Sequence, residues 1–326
     1  MHETRLNLLK ALACGAFISG TELGEICGVS RTAIAKHMEG LKELGINVYS
    51  VKGKGYKLSS PLSLLDKKDI FKNFDSLQHS LTPSLDLSVL TQIDSTNTYL
   101  KQHISQLKSG HSVIAESQTA GRGRHGRKWV SPFASSIYLS MYWRFGTGYQ
   151  ALSGLSLVIG LAVVDTLTQI GILNAQLKWP NDVYVNMQKI AGVLIEVEGA
   201  VGDAAHCIIG IGLNVQLPDD IDGIDQSYTD IQSQLGVPLV DRNKLTAILL
   251  NNMHRIIRTF EAEGLTPFIH RWESLNVFAN KNVKLVTGNQ SIEGICLGIN
   301  TEGALRMQVN DLQQTFHGGE ISVRAI

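Results

Sequence analysis

Apolar positions recur along this chain with two different periods, and the changes from one to the other divide it into segments. Near the start, Leu6, Leu8, Leu9 and Leu12 mark a first helix and Thr21 to Cys27 a second, with Gly28-Val29 as a tight turn. Ser30 is placed to cap a third helix running to about Leu44, in which Ile34, Met38 and Leu41 recur at helical spacing. Two helices joined by a short glycine-bearing turn predict a helix-turn-helix. Val48 to Val51 and Tyr56 to Leu58 then flank Lys52-Gly53-Lys54-Gly55, a hairpin with a basic tip. The segment reads as a winged helix-turn-helix. Ser30, Arg31, Thr32 and Lys36 lie at the outer start of its third helix and Lys52 and Lys54 on the wing, where DNA bases and phosphates would be met. A protein-docking domain with a solvated cationic face is the alternative; turn glycine, cap and basic wing all agree with the first reading.

Beyond a linker at Ser59-Ser60-Pro61, strand and helix patterns mix. Strands are predicted at Leu87 to Ile93, Ser112 to Ala115 and Ile137 to Phe145, and a helix from Asn97 to about Leu107. A long helix spans about Ala151 to Ile170. Its apolar stretch is broken by Ser153, Gly154, Ser156, Gly160 and Asp165 and falls short of the ~20 residues of a bilayer span. Gln176 to Trp179, Val183 to Asn186, Lys189 to Glu198 and His206 to Val215 follow as strands, with Gly199 to Asp203 as a hairpin turn. Such hairpins predict an α+β layer, an antiparallel or mixed sheet with helices on one face. Asp241 to Glu263 is the last long helix. After Arg271-Trp272, five short β-type runs separated by Gly288-Asn289, Gly303 and Gly318-Gly319 predict a small barrel. The expected division is 1–60, a linker 61–66, a central domain 67–271 and a C-terminal domain 272–326.

Composition narrows the class. The 326 residues are 44% hydrophobic and 18% charged, as in an ordinary soluble globular protein. Four scattered cysteines, with no Cys-x-x-Cys and no histidine at metal spacing, indicate neither a disulfide framework nor a zinc site. The N-terminus lacks a signal-type apolar core, so a cytoplasmic protein is expected. Net charge is zero, yet residues 1 to 60 hold eight Lys or Arg against five Asp or Glu. A basic head on an acidic body suggests a separate nucleic-acid module.

Against that neutral total, Gly121 to Trp129, Gly-Arg-Gly-Arg-His-Gly-Arg-Lys-Trp, packs four permanent cations and three glycines into nine residues. Arginine forks match carboxylate and phosphate oxygens, while glycine permits positive φ and close approach, so the loop is suited to closing over an anion. Gly121-x-Gly123-x-x-Gly126 matches the dinucleotide fingerprint by letter, but no helix follows it and Ile137 to Phe145 holds no carboxylate. A phosphate-binding P-loop also fails, for want of Gly-Lys-Ser/Thr at the required distance. A solvated basic turn or a non-specific nucleic-acid contact stays open.

Four other stretches carry chemistry. Asp94-Ser95-Thr96-Asn97 ends a strand and opens a helix, so hydroxyls and free N–H groups converge, although plain capping would also explain it. Lys178-Trp179-Pro180-Asn181-Asp182 sets a cation, an aromatic, an amide and a carboxylate around a rigid proline; an edge-strand turn reads equally well. Lys189-Ile190-Ala191-Gly192-Val193-Leu194-Ile195-Glu196 is an alternating strand led by a lysine, a residue usually exposed at strand ends. Gly210-Ile211-Gly212-Leu213-Asn214 thins a strand where another body comes close.

In order and spacing these motifs resemble those of the biotin protein ligases, and with the winged helix in front and Gly318-Gly319-Glu320-Ile321-Ser322 near the end, the chain resembles the bifunctional ligase/repressors of the BirA family over essentially its whole length. The resemblance implies a class II synthetase-like central sheet and an SH3-like C-terminal barrel. It implies that ATP and biotin form biotinyl-5'-AMP, and that biotin passes to a lysine of a biotin carboxyl carrier protein. Ser95, Thr96 and Gln118 would hydrogen-bond the ureido ring beside Asn97, Gly192 and Leu194 would line the apolar channel, and Trp129 would wall the ligand. Lys189 would bridge carboxylate and phosphate, with Arg122, Arg124, Gly121 and Gly123 of the loop clamping the adenylate. Lys178, Arg127, Asn181 and Asn214 would contact the nucleotide, Tyr228 would supply an aromatic platform where a tryptophan is expected, and Asp182 would hold magnesium or orient the incoming amine. The adenylate would also act as corepressor: a homodimer formed around it would bind operator DNA of biotin biosynthesis genes, the carrier domain and second protomer competing for one surface. A biotin-sensing repressor without catalysis is disfavoured by Lys189, Asp182 and the arginine loop, and a lipoate-type ligase by that same loop.

Overall fold

Ser19 and Ser30 each stop an extended approach and start a helix: their hydroxyls accept from the backbone N–H of Glu22 and Ala33. The result is α1 (Glu3–Leu12), α2 (Gly20–Cys27) and α3 (Arg31–Lys42), followed by the antiparallel pair β1 (Val48–Val51) and β2 (Gly55–Leu58). Gly28, at φ 66°, makes the left-handed turn between α2 and α3. Leu8, Leu9, Leu12, Leu23, Ile34 and Leu41 are fully buried between the helices. Ser30, Arg31, Thr32, Lys36, Lys52 and Lys54 are all exposed. The computed structural model describes residues 3–77, 85–146, 148, 152–199, 203–218, 221–287, 290–318 and 321–325.

The central sheet has seven strands in the order β3-β4-β5-β9-β8-β7-β6. They are β3 (Leu87–Leu90), β4 (Ser112–Ala115), β5 (Ser136–Phe145), β6 (Ala175–Lys178), β7 (Asp182–Val185), β8 (Gln188–Glu198) and β9 (Ala205–Asn214). Among the described strands of this sheet only β3 and β4 pair parallel, so the sheet is mixed. On one face Ile209, Ile211 and Leu213 of β9 pack with α6 (Leu155–Gln169) and α8 (Arg242–Glu263), together with Ile70 and Phe74 of α4 (Lys67–Leu77). The expectation of helices on one face alone is corrected by α5 (Thr96–Gln102), whose Leu100 packs with Val113, Tyr142 and Ile208 on the other. Period two explains the division, because alternate side chains of each strand belong to different cores.

Helix α4 is an element that the apolar pattern does not predict; Asp66 opens it by accepting from the N–H groups of Lys68 and Asp69. Helix α6 begins at Leu155, and Leu87 to Ile93 is strand only as far as Leu90. The turn within Gly199 to Asp203 lies in part outside the described residues, as do Gly288-Asn289, Gly319 and Glu320.

After α7 (Ile231–Leu235), α8 and α9 (Ile269–Ser274), five antiparallel strands complete the chain: β10 (Asn282–Thr287), β11 (Gln290–Ile299), β12 (Leu305–Val309), β13 (Leu312–Phe316) and β14 (Ile321–Ala325). Their order is β13-β12-β11-β10-β14. Val283, Leu285, Leu305, Met307 and Val323 join the same core as the central sheet, so this unit is welded to its neighbour.

The first unit is also tied down. Phe133 and Ala134, just past the arginine loop, complete its core together with partly buried Leu62 and Leu64. Arg242 at the start of α8 pairs with Glu116 at 2.5 Å, both almost fully buried, and donates to the carbonyls of Ser63 and Ser136. Glu116 also accepts from Leu65 N at 2.5 Å. A buried pair of this kind adds little net stability but penalises any state that breaks it. Residues 63–66 are therefore fastened to the central sheet.

Between α4, α8 and β5 lies the buried side chain of His254, edge-on to the rings of Phe74 and Trp143. Burial, with nearby Arg258, lowers its pKa from 6.5 to about 4. The folded state thus keeps the ring neutral where the unfolded chain would protonate it. Stability from this source is complete above pH 6.5 and is lost as pH falls towards 4, by up to about 3 kcal/mol. Denaturant titrations across that range should show the loss in the wild type and a flatter limb in His254→Leu; equal slopes would contradict the assignment.

Candidate functional site

On the face of the sheet occupied by α5, three glycines remove side chains from adjoining strands. A Cβ on Gly212 would stand 2.3 Å from Trp129 Cε2, one on Gly192 3.0 Å from Trp129 Cζ3, and one on Gly210 2.3 Å from Asn97 Oδ1. The strands are thus hollowed so that an indole and an amide can lie flat on them. Above this trough opens a cleft of about 710 Å³. Ser95, Thr96, Asn97 and Gln118 line one end, and Lys178, Asn181, Asp182, Tyr184 and Arg324 the other. Lys189, Gly192, Leu194 and Trp129 lie along it too, with Arg122, Gly123, Arg124 and Arg127.

The arginine loop is a small closed hairpin. Gly123 N donates to Arg127 O at 2.7 Å, Trp129 N to Gly121 O at 2.9 Å, and Arg122 bridges Lys128. His125 and Gly126 take positive φ, 57° and 70°. Of the three glycines only Gly126 uses that freedom. Gly121 is needed for closeness, since its Cβ would meet Trp129 O at 2.5 Å.

Cations and carboxylates meet at the polar end. Lys189 Nζ lies 2.7 Å from Asp182 Oδ1, both sheltered, and 5.2 Å from the centre of the Trp129 ring. Arg124 donates to Asn181 Oδ1 at 3.3 Å; burial, partly offset by Asp182, pushes its pKa down. Lys178 donates to the Tyr184 hydroxyl at 3.0 Å, and burial again lowers its pKa. Lowered pKa values on cations mean that their charge is poorly solvated, the condition under which an arriving anion is most strongly attracted. Ser156 Oγ donates to Pro180 O and Trp179 Nε1 to Gly303 O, fixing the turn that carries Asn181 and Asp182.

Three expected residues do not line the cleft. Gly121 closes the loop base, Asn214 spends its amide on Thr229 O at 3.0 Å, and Tyr228 sits in a strap whose backbone pairs with Lys189. Ser227 O accepts from Lys189 N and Thr229 N donates to Lys189 O, so the strap holds the lysine in place. Tyr184 and Trp179 are the aromatic residues that line the cleft beside Lys178 and Asp182. Tyr184 was readable as an alternating strand residue only, and Arg324 comes from the last strand, so no local motif announced either.

Among the described residues there is no group of three or more His, Cys, Asp or Glu side chains able to hold a metal ion. Asp182 and Asp225 are carboxylates at the cleft. One or two carboxylates suit magnesium when phosphates supply other ligands. No helix among the described residues is long and apolar enough to cross a membrane.

Comparison with known proteins accounts for all three parts of the chain. The Biotin/lipoate A/B protein ligase family matches residues 89–214, an HTH domain residues 4–57, and the Biotin protein ligase C terminal domain residues 278–324. The Bifunctional ligase/repressor BirA of Escherichia coli (strain K12) is 44% identical over 321 residues, covering 98% of this chain and 97% of that one. Its counterpart in Bacillus subtilis is 30% identical over 311 residues, covering 94% of each. The structure of the biotin protein ligase from Aquifex aeolicus in complex with biotin and ATP matches at a TM-score of 0.65 with 30% identity, over 74% of this chain and 99% of that one.

Trp129 rests on Gly212 so closely that Gly212→Ala must lift the indole, which cannot bend away. The arginine loop should then open, and trypsin should cut after Arg124 and Arg127 about 10-fold faster than in the wild type, an effect of roughly 1.4 kcal/mol on loop opening. Unchanged cleavage would mean that the loop is not held by this contact.

Proposed function

This chain belongs to the biotin protein ligase family, and from that membership we propose how its cleft performs the family's reaction. The chain is an ATP-dependent biotin ligase that also carries a helix-turn-helix repressor domain. The observation that carries the site assignment is the convergence of Lys189, Asp182 and Arg124 at one end of a trough whose other end is neutral and rich in hydrogen-bonding groups.

Biotin's ureido ring enters at Ser95, Thr96 and Gln118, and its aliphatic chain runs over Gly192 and Leu194 beneath Trp129. The carboxylate then reaches Lys189. ATP lies towards Lys178, Arg127, Asn181 and Arg324, with Tyr184 as the aromatic neighbour. The carboxylate oxygen attacks the α-phosphorus, pyrophosphate leaves, and biotinyl-5'-AMP remains. Two unit charges at about 4 Å repel by about 4 kcal/mol at an effective dielectric near 20. Lys189 has three N–H donors and spends one on Asp182, so the others are free to bridge carboxylate and phosphate oxygens. Arg122 and Arg124 close the loop over the mixed anhydride and keep water from it. A carrier lysine amine finally attacks the acyl carbon and AMP departs.

Magnesium bound to the triphosphate would offset further charge, and Asp182 is the carboxylate placed to help hold it or to orient the carrier amine. The carrier is a biotin carboxyl carrier protein. Residues 1–60 form the DNA-binding unit and dock Ser30, Arg31, Thr32 and Lys36 in the operator, with Lys52 and Lys54 on the wing. Biotinyl-5'-AMP acts as corepressor by favouring a homodimer, and the protein works in the cytoplasm. A lipoate-type reading lacks an observation in its favour.

Lys189→Ala should lower biotin-dependent ATP–pyrophosphate exchange by roughly 100- to 1,000-fold, the usual effect of losing one electrostatic contact to the reacting group. The same protein should keep its unfolding midpoint. Removal of residues 1–60 should abolish operator binding in a gel shift while exchange persists. Wild-type exchange in Lys189→Ala, or undiminished operator affinity in the truncation, would refute the corresponding assignment.

A further inference from the structure

Beneath the cleft runs a chain of polar contacts, side-chain hydrogen bonds joined at one point by the Thr96 backbone N–H, that begins and ends in the arginine loop. Glu196 Oε2 accepts from Arg122 at 2.7 Å and from Asn97 Nδ2 at 2.8 Å. Ser140 Oγ lies 2.5 Å from Asn97 Oδ1 and 2.7 Å from Thr96 Oγ1. Thr96 Oγ1 is 3.2 Å from Gln118 Oε1, which also accepts from Thr96 N at 2.9 Å. Gln118 Nε2 donates to Ser131 Oγ at 3.1 Å, and Ser131 donates to Trp129 O at 3.0 Å. Asn97, Thr96 and Ser140 are buried. Ser140, Gly210 and Leu194 stand in register on β5, β9 and β8, so the missing side chain of Gly210 makes the space in which Asn97 lies.

The protons of this chain have one consistent order, set from one end by Glu196 and from the other by the Trp129 carbonyl. A carboxylate only accepts, so Asn97 must turn its NH2 towards Glu196 and its oxygen towards Ser140. Ser140 has a single proton, which must then go to Asn97, leaving its oxygen to accept from Thr96. From the other end, the Trp129 carbonyl takes the proton of Ser131, so Gln118 faces Ser131 with its NH2 and Thr96 with its oxygen. Thr96 Oγ1 and Gln118 Oε1 are left as two neighbouring acceptors at the cleft. Such a pair recognises an N–H donor and repels an acceptor.

We propose that Glu196 is a positioning residue that fixes the proton order from Asn97 through Ser140 to Thr96, so that the Thr96 hydroxyl presents an acceptor, beside the Gln118 oxygen held by Ser131 and Thr96 N, to a ring N–H of the ligand. The assignment rests on the reading that biotin's ureido ring occupies that end of the cleft. Glu196 thereby couples ring recognition to the loop, because the oxygen that orders Asn97 is the one that holds Arg122. Its neighbour Glu198, two residues along β8, pairs with Lys101 and takes no part in the chain.

Steady-state exchange kinetics on the full chain test this. Glu196→Ala frees the Asn97 amide to turn, and should raise KM for biotin about 10-fold while KM for ATP changes less than about 2-fold. Glu196→Gln keeps an acceptor oxygen for Asn97 and Arg122 and should restore KM for biotin to within about 3-fold of the wild type. Glu198→Ala should match the wild type in both constants. An unchanged KM for biotin in Glu196→Ala would overturn the proposal. So would equal rises in both KM values with a lowered unfolding midpoint, the mark of a merely structural role, or a failure of Glu196→Gln to rescue. Wild-type protein that shows exchange with no biotin dependence would instead overturn the ligase reading, and this assignment with it.

Discussion

Repulsion between two anions is the constraint around which this molecule is organised. A carboxylate and an α-phosphate must come within bonding distance in a site dry enough to protect the anhydride they form. Desolvation and charge neutralisation are therefore needed in one place. The cleft supplies both, by hollowing the sheet with Gly192, Gly210 and Gly212 and by bringing Lys178, Lys189 and Arg124 to one end of the hollow. Burial lowers the pKa of Lys178 and Arg124, an indication that neither cation is fully solvated before ligand arrives.

The rest of the fold holds those cations still. Lys189 sits at the start of β8, between Asp182 and the backbone strap at residues 227–229. Trp179 is fastened to the C-terminal unit through Gly303 O, and that unit sends Val323 and Arg324 to the cleft. On the opposite side Phe133 and Ala134 carry the end of the arginine loop into the core of the DNA-binding unit. The linker carbonyl of Ser63 is held by Arg242, which also grips Glu116, two residues before Gln118. The N-terminal unit is thus packed on residues that follow the arginine loop within four or five positions of Trp129, which lines the cleft.

Much of this was legible in the sequence where the signal is local. Ser30 before an apolar helix gave the third helix start, alternation gave the central strands, and glycine beside arginine marked the loop. Residues whose value depends on distant partners were not legible. Arg324 reaches the cleft only because five C-terminal strands fold back, and the Ile70 and Phe74 face of α4 acquires meaning only against α8. Glu196 ends the alternating motif that begins at Lys189, but its contacts arise only because β8 places it beside Asn97 and Arg122. The resemblance implies Tyr228 as a platform; its segment pairs along the backbone with Lys189, and Tyr184 lines the cleft.

The arginine loop is proposed to fold over two mutually repelling reactants and to shelter their product. A crystal structure of the protein with biotinyl-5'-AMP measures this directly. Lys189 Nζ and at least one guanidinium of Arg122 or Arg124 should lie within about 3.2 Å of the ligand's carbonyl or phosphate oxygens, the range of a charge-assisted hydrogen bond. A loop turned to solvent, its guanidinium groups touching no ligand atom, would contradict it.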